Sequence, residues 1–182
     1  MKELSLNILD ITKNSVKADA KNISILLNED NDGILTLEIT DDGHGMTEET
    51  LKSVTDPFYT TRTTRKVGLG IPLLKLASEQ SGGSFRIVSR SIEDFSDNFG
   101  TSVFATFNTK SIDFTPLGDI VDTLIVLIQG SPNINFVFSH KTPQREVNLS
   151  TAELKNILGD IPLDSFEVLN WIREYLNEQY TA

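Results

Sequence analysis

Apolar residues recur along the first twenty positions at helical spacing: Leu4, Ile8 and Ile11, continued by Ser15 and Ala18 and widened by Leu6, Leu9 and Val16. Side chains three or four residues apart share one face of a helix, so the pattern predicts an amphipathic helix over about 2–19. The period then changes to two. Ile23, Ile25 and Leu27 alternate with polar residues, a turn-rich stretch runs from Asn28 to Gly33, and Leu35, Leu37 and Ile39 alternate again. Successive side chains of a strand point to opposite faces, so this is predicted to be a hairpin with one buried face. DDGHGM at 41–46 holds too much glycine for either regular element. Thr47 followed by Glu48 and Glu49 has the chemistry of an N-cap and an acidic first turn.

A Thr/Arg/Lys-rich loop, Tyr59 to Val67, leads into GLGIPLLKLASEQSGG, where Pro72 suits a first helical turn and Gly82 a stop, predicting a helix over about 71–81. Phe85, Ile87 and Val88 open a strand, SIEDFSDNFG is a polar turn, and Val103, Ala105 and Phe107 mark the inner face of another strand. This order predicts an α/β two-layer sandwich over residues 1–110, with helices on one face of a mixed, largely antiparallel sheet. Residues 111–182 read as a small α/β appendage that packs against the sandwich and recognises a partner. It comprises a helix near 117–129, strands near 135–139 and 145–149, a helix capped by Ser150 or Thr151 with Glu153 completing a capping box, and a last helix over 165–179. The apolar stretch DIVDTLIVLI reads as a core helix rather than a partner groove.

The chain has 182 residues, 38% hydrophobic and 23% charged, enough for one core and a small addition. Its net charge of −10 argues against nucleic acid and anionic membrane surfaces as partners. The absence of cysteine excludes disulfides, thiolate metal sites and cysteine nucleophiles. The most apolar run, Leu124 to Ile128, is too short to span a bilayer, and MKELSLNILD lacks the apolar core of a signal peptide, so a cytoplasmic location is expected.

Four segments carry candidate chemistry. On the first helix Asp10 and Asn14 are four residues apart and share a face, with Lys17 a turn further on. This suits a solvated helix face, or a site in which the Asn14 amide holds Mg²⁺, Lys17 meets phosphate and Asp10 orients or deprotonates a water. DDGHG suits a tight turn, or a strand-end carboxylate accepting an amino hydrogen from a purine while glycine backbone approaches the ring. In DPFYTTR, Phe58 can anchor a loop whose threonine and arginine groups face solvent or phosphate. GLG at a helix mouth offers backbone N–H groups to an anion.

In order and spacing these segments resemble the N box, G1 box, F box and G2 box of the GHKL superfamily, over about residues 4–108. That superfamily comprises histidine kinases, gyrases, heat-shock chaperones and MutL-type repair proteins. DPFYTTR with GLGIPLLK, followed by GG and GTSVFATF, looks like a histidine-kinase catalytic domain, and NSVKADAKNISI is similar to the MutL-type N box. The resemblance implies a Bergerat fold that binds ATP with Mg²⁺: Asn14 on the metal, Lys17 on phosphate, Asp41 on the adenine amino group, and Gly43 and Gly45 shaping that wall. Gly68 and Gly70 would present backbone donors to phosphate, with Tyr59 to Val67 as the lid and Arg62, Arg65 and Lys66 reaching phosphate. Met46, Phe58, Thr60, Thr61 and Leu69 complete the implied ATP-binding set, and Asp10 is the implied catalytic residue.

Three positions depart from the pattern: Asp10 stands where Glu or Asn is common, Lys66 replaces the first glycine of GxGxG, and Pro72 stands where Ser or Ala is common. Asp42 reads as solvated or as a weak water relay. Only nine residues precede Asp10, so no phosphoacceptor hairpin is expected before it. His44 reads as a loop residue near the nucleotide. His140, a conceivable phosphoacceptor, reads as a surface or satisfied histidine. The implied function is a stand-alone regulatory ATPase or protein kinase acting on a partner protein, anti-sigma-like or two-component-like; the alternative is an ATP-gated binding module without phosphoryl transfer.

Overall fold

The computed structural model describes residues 3–56 and 69–182. Helix α1 (Leu4–Lys17) inserts Leu4, Ile8 and Ile11 into the core. The stripe is narrower than its sequence suggested: Leu6 is 43% exposed, and Leu9 and Val16 are only half-buried. Four polar side chains, Ser5, Asn7, Thr12 and Ser15, are buried instead. The helix ends as Asp19 enters the left-handed region at φ 59°.

The expected hairpin follows as β1 (Asn22–Glu29) and β2 (Ile34–Asp41), then α2 (Glu48–Thr55), whose first turn Thr47 caps by accepting from Thr50 N–H at 3.3 Å. Helix α3 (Gly70–Gln80) has Pro72 in its first turn, where a missing N–H costs nothing. Strands β3 (Phe85–Arg90) and β4 (Gly100–Asn108) come next, then α4 (Ile120–Gly130), β5 (Asn135–Lys141), β6 (Glu146–Ser150), α5 (Thr151–Leu158) and α6 (Phe166–Thr181). Asp119 caps α4 by accepting from Asp122 N–H, and Ser150 caps α5 by accepting from Glu153 N–H.

All six strands join one sheet in the order β3-β4-β2-β1-β5-β6. β1 and β5 run parallel, with Ile25 opposite Phe138, and the other neighbours are antiparallel. The alternation read from sequence appears as one buried face, with Ile23, Leu37, Phe107, Phe136 and Leu149 beneath the helices. α1 lies between α3 and α4, and α4 lies beside α6. Phe136, Phe138, Leu124, Ile172 and Leu176 are at most 1% exposed and share a single cluster with Leu4 and Ile8. Residues 120–181 therefore build onto the same sheet and core as the first half. Burial of each such side chain is worth about 1.5–3 kcal/mol.

At the outer edge the Gln179 side chain pairs with β6 as a neighbouring strand would. Its Oε1 accepts from Asn148 N–H at 2.9 Å, and its Nε2 donates to Asn148 O at 3.1 Å. Among the described residues no helix is long and apolar enough to cross a membrane.

Candidate functional site

The end of β2 and the loop after it meet the C-terminal half of α1. Asp41, the last residue of β2, is half-buried, and both its carboxylate oxygens are engaged. Oδ2 accepts from the buried Ser15 hydroxyl at 2.6 Å, and Oδ1 accepts from Gly43 N–H at 2.9 Å. Thr101 stands directly across from it on β4, its hydroxyl 2.8 Å from that of Ser89. An ionised carboxylate has about four acceptor positions, so two partners hold the group still and leave capacity for an incoming donor.

The glycines are needed by close approach. A Cβ on Gly43 would lie 2.7 Å from Ala18 O, and His44 N–H donates to that same carbonyl at 2.8 Å. Gly45 has φ +68° and would drive a Cβ into the Arg90 carbonyl. The loop is also tied to β3 and the residues after it, with Ile92 N–H on His44 O and Met46 N–H on Ser89 Oγ, both at 2.8 Å. The backbone from 43 to 46 is thus clamped between α1 and the end of β3. His44 is exposed, its Nδ1 2.8 Å from Gly45 O. A carbonyl only accepts, so Nδ1 carries the proton.

Asp10 and Lys17 are exposed and Asn14 is half-buried on α1, and among the described residues none of the three makes a side-chain hydrogen bond. α3 begins against this face: a Cβ on Gly70 would lie 3.0 Å from that of Asp10. Leu69, 65% exposed, gives α3 no side-chain cap among the described residues. Buried Asn7 locks the two helices together, donating to Glu3 O and accepting from Leu74 N–H, each at 3.2 Å. The structure therefore brings Asp10, Asn14, Asp41, Gly43 and Gly70 around one side of α1. Phe58, Thr60, Thr61, Arg62, Arg65, Lys66 and Gly68 lie outside the described residues.

Two depressions flank the loop, one of about 280 Å³ beside Asp41, Arg90 and Phe99, the other of about 580 Å³ beside Met46, Glu49 and Phe95. Neither reaches Asp10 or Gly70.

Two residues have partners that the sequence reading did not give. Asp42 is exposed, as the solvated reading expects, but its carboxylate is also held by the start of β1. Its Oδ1 accepts from Lys21 N–H at 2.7 Å and Asn22 N–H at 2.8 Å, and its Oδ2 from the Asn22 amide at 2.7 Å. Partial burial works to raise its pKa, but the Asn22 and Lys21 hydrogen bonds outweigh it and hold the carboxyl below its usual 3.8. It thereby ties the end of β2 to the start of β1. Ser15, read as a member of the apolar stripe, instead orients Asp41. His140 is the satisfied histidine expected: buried, with Nδ1 2.8 Å from Tyr180 Oη, its pKa lowered by burial.

The strand-end acid on its clamped glycine loop thus lies beside a polar face of α1 and the start of α3. The profile of the family described as histidine kinase-, DNA gyrase B-, and HSP90-like ATPase matches residues 2–111, and the chain belongs to that family. Among curated proteins, none matches the sequence. Of solved structures, the N-terminal domain of a DNA repair protein is similar at 18% identity and TM-score 0.50, covering 82% of this chain; this chain spans about half, 53%, of that one. The Aquifex aeolicus MutL ATPase domain complexed with ADP is similar at 11% identity and TM-score 0.55, covering 96% of this chain and 88% of its own. The mycobacterial sensor histidine kinase MprB overlaps 58% of this chain and 72% of its own at 20% identity and TM-score 0.41. The first two likenesses concern the fold alone, and the six-stranded, largely antiparallel sheet under one layer of helices is the Bergerat sandwich.

Proposed function

We propose that the chain binds Mg-ATP along α1 and uses it to act on a partner protein, as a regulatory ATPase or protein kinase. The observation that carries this is the Asp41 carboxylate, held by Ser15 and Gly43 with acceptor capacity left over. It takes the adenine amino group, while Gly43 and Gly45 let backbone line the ring. Five residues back along the helix, a rise of about 7.5 Å, Asp10 stands against the start of α3, where N–H groups meet phosphate. α1 thus spaces the purine end from the phosphate end. Lys17 and the lid residues Arg62, Arg65 and Lys66 add cationic contacts to the phosphates.

Mg²⁺ fits Asn14. No group of three His, Cys, Asp or Glu gathers among the described residues, so the ion would rest on one amide oxygen, phosphates and water. When bound it neutralises phosphate charge. Asp10 orients the attacking group, the task that phosphoryl transfer asks of protein side chains besides charge neutralisation.

Calorimetry with Mg-ATP tests the assignment. Asp41→Asn removes the charge that strengthens the hydrogen bond to the amine, and a loss of about 1.5–3 kcal/mol, roughly 10- to 100-fold in affinity, is expected. Unchanged affinity removes Asp41 from the purine role. The short reach of Asp10 favours a second reading, an ATP-gated binding module in which partner affinity responds to nucleotide without transfer. Equal partner binding with ATP and a non-hydrolysable analogue selects that reading; dependence on turnover selects the first.

A further inference from the structure

We propose that the exposed face of α6 carrying Trp171 and Tyr175 docks a basic segment of a partner protein, with arginine or lysine laid over the two rings. This gives the partner of the proposed function a chemistry, and rests on that reading only for there being a partner. The rings stack at 5.0 Å between centroids and 10° between planes, yet Trp171 remains 49% and Tyr175 37% exposed. The core-facing stripe of α6 is Val168, Leu169, Ile172 and Leu176, so the two rings lie beside it with their outer surfaces open.

The surroundings are acidic. Glu167 lies four residues before Trp171, Glu174 three after it, and Glu178 three after Tyr175, so each carboxylate is within one helical turn of a ring. All three are exposed, and among the described residues none forms an ion pair. The two cations of residues 151–182 are turned elsewhere. Lys155 donates to Asn133 O, Ile134 O and Asn135 Oδ1, and Arg173 pairs with Asp122 at 2.9 Å. Flat aromatic faces ringed by unpaired carboxylates attract cations twice over, through the ring quadrupole and through charge. A neutral apolar partner would leave three carboxylates beside it without compensation, and an anionic surface would be repelled.

Trp171 is the sole tryptophan, so its fluorescence reports this face alone. A dodecapeptide of alternating arginine and alanine, titrated into the full chain, is expected to change that fluorescence saturably. Replacing Glu167, Glu174 and Glu178 together by Gln should weaken binding by about tenfold or more. Glu93→Gln with Asp94→Asn and Asp97→Asn, an equal charge change elsewhere, should leave it within about twofold. In Trp171→Ala, anisotropy of a labelled peptide should show a similar weakening.

Three results each overturn the proposal: no saturable change up to millimolar peptide, equal weakening in both triple variants, or equal binding of a glutamate-alanine peptide. A fluorescence change that follows protein concentration alone also overturns it, by assigning the face to a second copy. Mg-ATP affinity should be the same in all these variants, so loss of peptide binding with nucleotide binding intact leaves the ATP reading standing.

Discussion

Ser15 shows how much depends on a single hydroxyl. It is buried, and its 2.6 Å hydrogen bond is one of two that fix the rotamer of Asp41. Ser15→Ala leaves the carboxylate with Gly43 N–H alone and removes a charge-assisted hydrogen bond, a type worth about 1.5–3 kcal/mol. Part of that falls on folding and part on ligand binding, so calorimetry should show both a lower melting temperature and a Mg-ATP affinity reduced by about tenfold. A stability loss with unchanged affinity would mean that the loop alone aims Asp41. The acid and its glycines were legible in sequence because a glycine-rich turn after a strand is a local signal. Ser15 was not, because a small side chain fits an apolar stripe whatever its hydroxyl does. The hydrogen bonds of Asp42 were not legible for a related reason: its partners Lys21 and Asn22 are 21 and 20 residues away. Thr101 needed the β2–β4 register to come into view.

Elements with capping chemistry were readable to within a few residues, as Thr47 and Ser150 show. What periodicity does not tell is which elements face each other. β5 and α6 meet through His140 and Tyr180, and burial lowers the His140 pKa from 6.5, with Glu29 opposing the shift and Arg145 adding to it. The unfolded chain therefore takes up this proton first on acidification. The stability contributed by neutral His140 is complete above about pH 6.5 and is lost as pH falls through the folded pKa. The Asp42 contribution is lost only further down, below 3.8. Melting temperature should fall as pH drops below about 6.5, and fall less in His140→Gln. Equal slopes in the two proteins would assign the acid sensitivity to another group.

At the scale of the molecule, the sequence suggested a sandwich with an addition after about residue 110, and the layers and sheet type appear as expected. The joining of the two parts could not be read, because β1 meets β5 across a separation as long as the 113 residues between Asn22 and Asn135. Seven β1 residues pair with β5, and α4 lies on α1. A chain ending at residue 110 would uncover that strand and that helix face together, so it is expected to aggregate or to melt well below the full chain in circular dichroism and size-exclusion runs. A monomer with native-like melting would instead make the first 110 residues self-sufficient. The glutamine that occupies Asn148 has a consequence for assembly. With the last strand's outward N–H and C=O there already answered by a side chain, strand recruitment from another molecule is obstructed on that flank. The opposite border of the sheet is β3, where an incoming strand would instead meet the exposed Arg86 and Arg90.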